Sequence, residues 1–298
     1  MAQSPILFDR DLLRVRRARA AAQGPAEFLL DRVAVELMER LAVVLRKFEF
    51  AVDLGTPGDT VRHALKNVVG TVVAVDAWPG LRAGKTTLAV SADLEALPFR
   101  DGAFDLAVSA LALQFVNDLP GTLTQIRRAL KPDGLFLAAL IGGISLVELR
   151  EAFAEAEAEV EGGASPRVAP FVDVRELGTL LQRAGFTLPV TDIDRLTVRY
   201  ESPLALMHDL RRMGATNVLA ERRRVALRRA TLRRMMEIYG ERFADADGRV
   251  RATFEIVWLS GWAPHESQQK PLAPGSAKTR LADALGTREI PTGEKARR

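Results

Sequence analysis

The stretch that decides the fold runs from Glu49 to Asp59 and reads EFAVDLGTPGD. A short apolar run, Phe50–Val52, ends at Asp53, and Gly55 and Gly58 follow within the next five residues. Helical spacing of apolar residues comes directly afterwards. This order predicts a buried strand, a glycine-containing turn and a helix. Ligands of open α/β sheets bind beyond the carboxyl ends of the strands, where glycine lets the backbone approach closely, so this turn is the first candidate site.

The rest of the chain predicts a doubly wound α/β sheet. Four further apolar or β-branched runs predict strands at residues 71–75, 87–91, 104–109 and 135–141. Helical spacing between the runs indicates parallel βαβ units with right-handed crossovers. Later runs at 191–200 and 253–262 alternate and are predicted as antiparallel strands that complete the sheet. A tight turn is predicted at Lys131–Gly134 because it reads KPDG.

Three parts follow from this pattern. Residues 1–48 are predicted to be an N-terminal helical cover, whose basic helix at 6–23 is either a solvated helix or a lid over the ligand site. Residues 49–265 form the α/β domain, with a helical insertion at about 203–243. Residues 266–298, rich in Lys, Arg, Pro and Gly, are predicted to be a basic tail.

The amino-acid composition excludes several kinds of functional site. Of the 298 residues, 48% are apolar and 27% charged, which is ordinary for a globular protein. The absence of cysteine excludes disulfides, thiolate nucleophiles and cysteine-ligated metals, and three widely separated histidines make a histidine metal site unexpected. No apolar stretch is long enough to span a membrane, and no signal peptide is recognisable. We therefore expect a cytoplasmic protein with no transmembrane segment and no bound metal.

A cluster of arginines lies in the helical insertion between Arg222 and Arg234. Such a cluster is usually a solvated helix face, and its alternative is a docking surface for an acidic protein or a peripheral contact with anionic lipid. No aromatic residues are interleaved to stack on bases, so nucleic acid is not a predicted partner.

Three acidic residues stand at the ends of successive predicted strands: Asp53, Asp76 and Asp93. An acid after the second strand can accept both hydroxyl groups of a ribose, and one after the third can accept from an adenine amino group. Together they predict an adenosine-shaped site. A nicotinamide dinucleotide would also use an acid after the second strand, but the chain lacks the Gly-x-Gly-x-x-Gly that lets a pyrophosphate lie against a helix N-terminus. S-adenosylmethionine has no phosphate and does not need that loop.

Several separated blocks resemble the class I S-adenosylmethionine-dependent methyltransferases, which have a Rossmann-like fold. The blocks are DLG from Asp53, the acid Asp76, ADLEALPF at 92–99, FDLAVS at 104–109 and LKPDG at 130–134. Within that family the chain is similar to the malonyl-acyl-carrier-protein methyltransferases of biotin synthesis. It is most similar to complex I assembly factors of this fold that are implicated in hydroxylating an arginine of a complex I subunit. That closer likeness rests on FDR at 8–10, VNDLP at 116–120, GG at 142–143, ELR at 148–150, GGASPR at 162–167, RAGF at 183–186, GW at 261–262 and HESQ at 265–268.

The resemblance implies S-adenosylmethionine as cofactor, with Asp76 at the ribose and Asp93 at the adenine. The implied cofactor-binding residues are Asp53, Gly55, Thr56, Gly58, Asp76, Ala77, Asp93, Leu94 and Ser109. Methyl acceptors in this fold often meet the cofactor after the fourth strand. The candidate substrate contacts are therefore Gln114, Asn117 and Asp118, although a polar loop is about equally compatible with them.

The loop departs from the family pattern Asp-x-Gly-x-Gly-x-Gly at two positions. Pro57 replaces the second glycine and fixes φ, and Asp59 replaces the third glycine. A carboxylate at 59 is expected to repel the methionine carboxylate of the cofactor.

The sequence is compatible with three functions, and for none of them does it identify a catalytic residue. The first is methyl transfer to a protein or a small carboxylate, which needs mainly alignment of the reacting atoms. The second is hydroxylation of a protein arginine during complex I assembly, with a complex I subunit as partner. No pair of histidines with a carboxylate occurs at a readable spacing for the iron of that chemistry. The third is a non-catalytic assembly or binding protein that keeps the fold while Pro57 and Asp59 have degraded its cofactor loop.

Overall fold

A computed structural model describes residues 6–77, 87–269, 276 and 279–288. Residues 1–264 form one unit and residues 265–298 a second. The strands are β1 (Phe48–Leu54), β2 (Val69–Asp76), β3 (Thr87–Ser91), β4 (Phe104–Ala110), β5 (Leu130–Ile141), β6 (Thr187–Tyr200) and β7 (Val250–Trp262). The helices within the described residues are α1 (Arg10–Ala22), α2 (Phe28–Ala42), α3 (Thr60–Leu65), α4 (Leu119–Ala129), α5 (Val147–Glu161), α6 (Val174–Arg183), α7 (Pro203–Arg212), α8 (Arg229–Phe243) and α9 (Leu281–Leu285).

The strands form one sheet in the order β3-β2-β1-β4-β5-β7-β6. The first five are parallel, and β7 is antiparallel to both of its neighbours. The prediction of a doubly wound, mostly parallel sheet with antiparallel C-terminal strands is confirmed. Asp53 pairs with Ala74 and Val108, which brings the carboxyl ends of β1, β2 and β4 to one edge of the sheet.

Helices cover both faces of the sheet because their apolar residues recur at helical spacing. In α2 the buried side chains are Leu29, Leu30, Val33, Ala34, Leu37 and Leu41, and most of them pack with β1, β4 and β5. Each large aliphatic side chain buried in this way stabilises the fold by about 1.5–3 kcal/mol. Residues of α4 and α6 cover the opposite face. Residues of α5, α7 and α8 build a further core against the β6 and β7 ends.

The turn predicted at Lys131–Gly134 is wrong, because these residues lie within β5. Hydrogen bonds hold the segment in line: the Asp133 amide donates to the Ala263 carbonyl at 3.1 Å, and the Ala263 amide donates to the Gly134 carbonyl at 2.8 Å. The irregularity is confined to a register shift against β4 and a positive φ of 63° at Asp133.

The insertion predicted as helical over 203–243 is two helices, α7 and α8, separated by residues 213–228. Gly214, with φ of +69°, ends the first of them and lies against Arg17. Leu219 then bridges to Phe8, and the Val218 carbonyl accepts from the Asp9 amide at 2.8 Å. Residues 213–228 are therefore not helical as predicted, and part of this segment pairs instead with the N-terminal residues 8 and 9.

Much of the predicted basic tail at 266–298 lies outside the described residues, and its described part contains α9. Among the helices that the structure describes, none has the length and apolar character of a membrane span.

Candidate cofactor and acceptor site

The loop after β1 needs glycine at two positions. Gly55 has φ of +70°, and a Cβ there would lie 2.7 Å from Leu94 Cδ1. Gly58 has φ of +67°, and its Cβ would lie 2.7 Å from Glu27 Oε1. Side chains other than hydrogen are strained at such φ values. Glycine is therefore required at both positions by the backbone conformation of the loop and by the side chains packed against it.

Asp53, the acid of this loop, forms a buried ion pair with Arg62 of α3. Arg62 Nη1 lies 2.9 Å from Asp53 Oδ2 and 3.3 Å from the Thr56 carbonyl, and Arg62 Nη2 donates to the Gly58 carbonyl. Burial raises the pKa of the Asp53 carboxyl group, and the guanidinium of Arg62 opposes this rise. Arg62 thus contacts both the Asp53 carboxylate and two backbone carbonyls of the loop, and so stabilises the conformation of the loop.

The hydroxyl groups of Thr56 and Ser109 form hydrogen bonds that connect the carboxyl ends of β1 and β4. The Thr56 hydroxyl donates to the Asp53 carboxylate and accepts from the Ala110 amide at 3.0 Å. The Ser109 hydroxyl donates to the Leu54 carbonyl at 2.7 Å. Both side chains are buried, so in this structure they shape the loop.

Asp59 carries the charge that the sequence places near the cofactor. Its side chain is 62% exposed, and its carboxylate pairs with Arg62 Nη2. That pairing offsets the repulsion expected toward a carboxylate.

A cavity of about 600 Å³ opens beyond the carboxyl ends of β2 and β3. We call it the acidic cavity; among its lining residues are Asp76, Ala77, Asp93, Leu94 and Glu95. Four of the predicted cofactor residues, Asp76, Ala77, Asp93 and Leu94, therefore line one cavity. The volume of this cavity suits a nucleoside-sized ligand.

Helix α1 lies along this cavity and contributes Arg10, Arg14 and Arg17. Arg10 Nη1 donates to Asp93 Oδ2 at 2.9 Å and lies 3.3 Å from Glu95. Although burial raises the pKa of Asp93, the Arg10 hydrogen bonds and the Glu95 amide lower it on balance. The helix begins at Arg10 because the Asp9 carboxylate caps it, accepting from the Leu12 amide at 3.0 Å.

Arg17 lies at the boundary between the acidic cavity and a second one. Its Nη1 is 3.4 Å from both Asp76 Oδ2 and the Gly55 carbonyl, and its guanidinium carbon lies 5.8 Å from the centre of the Phe115 ring. Burial lowers its pKa, and Asp76 opposes this effect. Arg17, Asp76 and Phe115 line both cavities.

The second cavity, of about 190 Å³, is largely apolar, and we call it the apolar chamber. Its apolar lining includes Leu29, Leu30, Leu111, Ile141, Leu146, Phe171, Leu210, Met213 and Phe254. Pro57 and Gly58 of the loop also reach it. Exposed Ala21, Pro25 and Arg212 are part of the same lining, so the chamber opens to solvent.

The three predicted substrate contacts separate in the structure. Gln114 lines the apolar chamber, and its buried Oε1 has no hydrogen-bond partner within the described part of the chain. Asn117 and Asp118 line the acidic cavity, and the Asn117 side chain accepts from the Leu7 and Phe8 amides at 2.8 and 2.7 Å. Asp118 caps α4 by accepting from the Gly121 amide at 2.9 Å.

Three arginines of the site, Arg10, Arg17 and Arg62, were not among the predicted residues. A signal existed for two of them, because Arg10 and Arg17 are seven residues apart in a helical segment and so share one face. Arg62 follows the loop on a helix too short to give a clear period.

The arginine cluster at 222–234 is largely paired within the chain. Arg222 lies 3.0 Å from Asp9, Arg223 pairs with Glu161, and Arg234 lies 2.6 Å from Glu159. Much of its charge is therefore balanced locally. No group of three or more His, Cys, Asp or Glu side chains suited to a metal ion occurs among the described residues.

A methyltransferase domain model matches residues 52–138, the segment that contains the loop and the acidic cavity. This match supports the prediction of S-adenosylmethionine as cofactor. A solved structure of a putative methyltransferase from Bacillus halodurans has a TM-score of 0.55 at 18% identity, covering 78% of this chain and 99% of that one. At that identity the likeness concerns the fold alone.

Similarity to curated proteins extends along nearly the whole chain. The mitochondrial arginine-hydroxylase NDUFAF5 of zebrafish is 39% identical over 93% of this chain and 89% of its own length. The human protein of that name is also 39% identical, over 97% of this chain and 87% of its own length. A malonyl-[acyl-carrier protein] O-methyltransferase from Gallionella capsiferriformans is 31% identical over 87% of this chain and 92% of its own length.

The predicted cytoplasmic location is contradicted by these comparisons, because the arginine-hydroxylase relatives, which match 93–97% of the chain, are named as mitochondrial. The prediction rested on the lack of cysteine and of a signal peptide. Neither feature distinguishes the cytoplasm from another reducing compartment.

Proposed function

Because this methyltransferase-fold chain belongs to the family of the arginine-hydroxylase NDUFAF5, we propose that it binds S-adenosylmethionine in the acidic cavity and hydroxylates an arginine side chain of a protein. The observation that carries the proposal is the adjacency of two cavities that share Arg17, Asp76 and Phe115. One is polar and nucleoside-sized, and the other is smaller and largely apolar. This pair suits a cofactor beside a long side chain.

The residues of the acidic cavity fit the functional groups of the cofactor. Asp76, 9% exposed at the end of β2, is a carboxylate acceptor for the two ribose hydroxyls. Asp93 and Leu94 follow β3, where an adenine would lie. Arg17, whose Nη1 lies 3.4 Å from the Gly55 carbonyl, would hold the cofactor carboxylate. When bound, S-adenosylmethionine supplies a sulfonium centre that carries an electrophilic methyl group.

The residues of the apolar chamber would bind and orient the arginine. Its aliphatic lining can contact the methylene groups of that side chain and exclude water from them. Hydroxylation replaces one C–H hydrogen by a hydroxyl group and needs an external two-electron oxidant. Through the family resemblance, the proposed protein partner is a subunit of respiratory complex I.

Methyl transfer is the second candidate, and the match to a methyltransferase domain favours it. That reaction needs the acceptor atom, the methyl carbon and the sulfur in line, and an acceptor bound at the shared boundary of Arg17 and Phe115 would lie beside the cofactor. An acceptor held in the apolar chamber would serve this reaction too.

Calorimetric titration with S-adenosylmethionine tests the cofactor assignment. Asp76→Ala should weaken binding by about 1.5–3 kcal/mol, roughly 10- to 150-fold, because a charged hydrogen-bond acceptor is lost. The matched control is Asp101→Ala, an exposed carboxylate before β4 at the opposite edge of the sheet. Equal affinity in both variants would place the ribose elsewhere.

Mass spectrometry then distinguishes the two reactions. The protein is incubated with S-adenosylmethionine, purified complex I subunits, air and a reductant such as ascorbate, which supplies the two electrons that reduce the second oxygen atom to water, and modified peptides are sequenced. A gain of one oxygen atom on an arginine supports hydroxylation, and a gain of one methylene unit supports methyl transfer. If the protein binds both cofactor and subunit and leaves every peptide unchanged, both enzyme assignments are refuted.

A further inference from the structure

The apolar chamber contains two polar groups that the rest of the structure leaves unexplained. Gln114 Oε1 is buried and has no hydrogen-bond partner within the described part of the chain. The Glu27 carboxylate, also in the lining, makes no hydrogen bond or ion pair in that part of the chain. A buried acceptor such as Gln114 Oε1 is normally satisfied, and Glu27 is a partly exposed carboxylate beside it in the same lining, so together they indicate a ligand with donors.

Glu27 is positioned by the start of α2. It directly precedes the first helical residue, Phe28, and its side chain makes no capping hydrogen bond. The residues that commonly cap a helix from this position are the shorter Ser, Thr, Asp and Asn. Glu27 Oε1 instead lies against Gly58, where a Cβ would come within 2.7 Å of it. The absence of a side chain at Gly58 therefore makes room for this carboxylate.

The cations that line the chamber are already engaged. Arg167 donates to Glu157 Oε1 at 2.7 Å, Arg212 donates to the Gly24 carbonyl at 2.9 Å, and Arg17 lies at Asp76. Glu27 is thus an anion without a counter-ion among the described residues of the lining. A positively charged ligand would balance it.

From these contacts we infer that Glu27 and Gln114 form the recognition site for the guanidinium group of the substrate arginine. Glu27 supplies the charge-assisted hydrogen bonds, and Gln114 Oε1 accepts from a further N–H. A guanidinium carries five N–H donors in one plane and so can serve two acceptors at once. The inference rests on the proposed arginine substrate and assigns the residues that select it.

The test compares two short peptides, acetyl-Gly-Arg-Gly-amide and its citrulline counterpart, which has the same shape and no charge. Each is titrated by NMR against the full chain saturated with S-adenosylhomocysteine. We expect the wild-type protein to prefer the arginine peptide by about tenfold or more, as for a charge-assisted pair. Glu27→Gln should remove this preference by weakening arginine binding alone.

Gln114→Ala provides an independent measurement. Because both peptides carry N–H donors, losing the Gln114 carbonyl should weaken both by a similar factor and leave the charge preference intact. The matched control is Glu39→Gln, which makes the same charge change at an exposed position of α2. Glu39 is twelve residues further along the chain and lies outside the chamber lining, so this variant should bind as the wild type does.

The outcomes separate this inference from the proposed function. An arginine preference that survives Glu27→Gln overturns the assignment of Glu27 while leaving arginine as the substrate. A wild-type protein that binds S-adenosylhomocysteine and does not distinguish the peptides overturns both. If Glu39→Gln loses the preference as well, the effect belongs to the general charge of α2 and the assignment fails.

Discussion

Replacing Arg62 by methionine should destabilise the protein, because the Asp53 carboxylate would stay buried without its cation. Asp53 is 1% exposed, and Arg62 Nη1 is 2.9 Å from its carboxylate. Methionine keeps much of the aliphatic stem, so the change is mainly one of charge and hydrogen bonding. Breaking one side of a buried ion pair costs about 3–5 kcal/mol. At a urea dependence of about 2–3 kcal/mol/M, the unfolding midpoint should fall by roughly 1–2.5 M.

A second substitution makes this prediction specific to the pair. In Arg62→Met, Asp53→Asn removes the uncompensated charge and keeps an oxygen that can accept from Thr56. The double variant should therefore be more stable than Arg62→Met alone, and the double-mutant cycle gives the coupling energy. The free energy of unfolding of all four proteins is measured by circular dichroism in urea.

The pH dependence of the single variant provides a third check. Without Arg62, burial raises the folded-state pKa of Asp53 further above its unfolded value. Its destabilising effect is then present when the carboxylate is ionised, and it shrinks as the pH falls through the raised folded-state pKa. The reasoning is refuted if Arg62→Met costs less than 1 kcal/mol at pH 7, or if Asp53→Asn fails to restore stability.

Three further variants test other parts of the site. Asn117→Ala removes three hydrogen bonds to Leu7 and Phe8, so hydrogen exchange at those amides should accelerate while exchange in β4 is unchanged. Arg17→Met should weaken S-adenosylmethionine binding in calorimetry by about tenfold or more, because a charged donor is lost; unchanged affinity would place the cofactor carboxylate elsewhere. Although burial favours neutral Glu157, hydrogen bonds from Ser165 and Arg167 hold its pKa below the usual 4.5. Its contribution to stability is therefore complete above about pH 4.5 and is lost as the pH falls through the folded-state pKa, so the urea midpoints of wild type and Glu157→Gln should converge in acid.

The parallel half of the sheet could be predicted because each strand is a short, nearly continuous apolar run. Val72–Val75 is an example, buried on both faces between β1 and β3. Parallel pairing then brings the carboxyl ends of the strands to one edge. The predicted grouping of Asp76, Asp93 and Leu94 around one cavity follows from this rule alone.

Contacts made by long side chains from distant segments could not be predicted in the same way. Arg17 meets Asp76 across 59 residues of sequence, and this contact depends on how α1 docks. Asn117 and Asp118 were predicted as substrate contacts from their place after β4. Both line the acidic cavity, but Asn117 also bonds the N-terminal segment and Asp118 also caps a helix, and short sequence patterns do not reveal these additional roles.

The position of β7 between β5 and β6 sets the order in which the protein can assemble during translation. Strand β6 leaves the ribosome before β7, which is its sole partner among the described strands, and 49 residues lie between Tyr200 and Val250. At about 5–20 residues per second, synthesis of that stretch takes roughly 2–10 seconds. During this interval β6 is an unpaired edge and β5 lacks its outer neighbour. A nascent chain paused in that interval would present unpaired edges on both β5 and β6, and we expect molecular chaperones to bind it there.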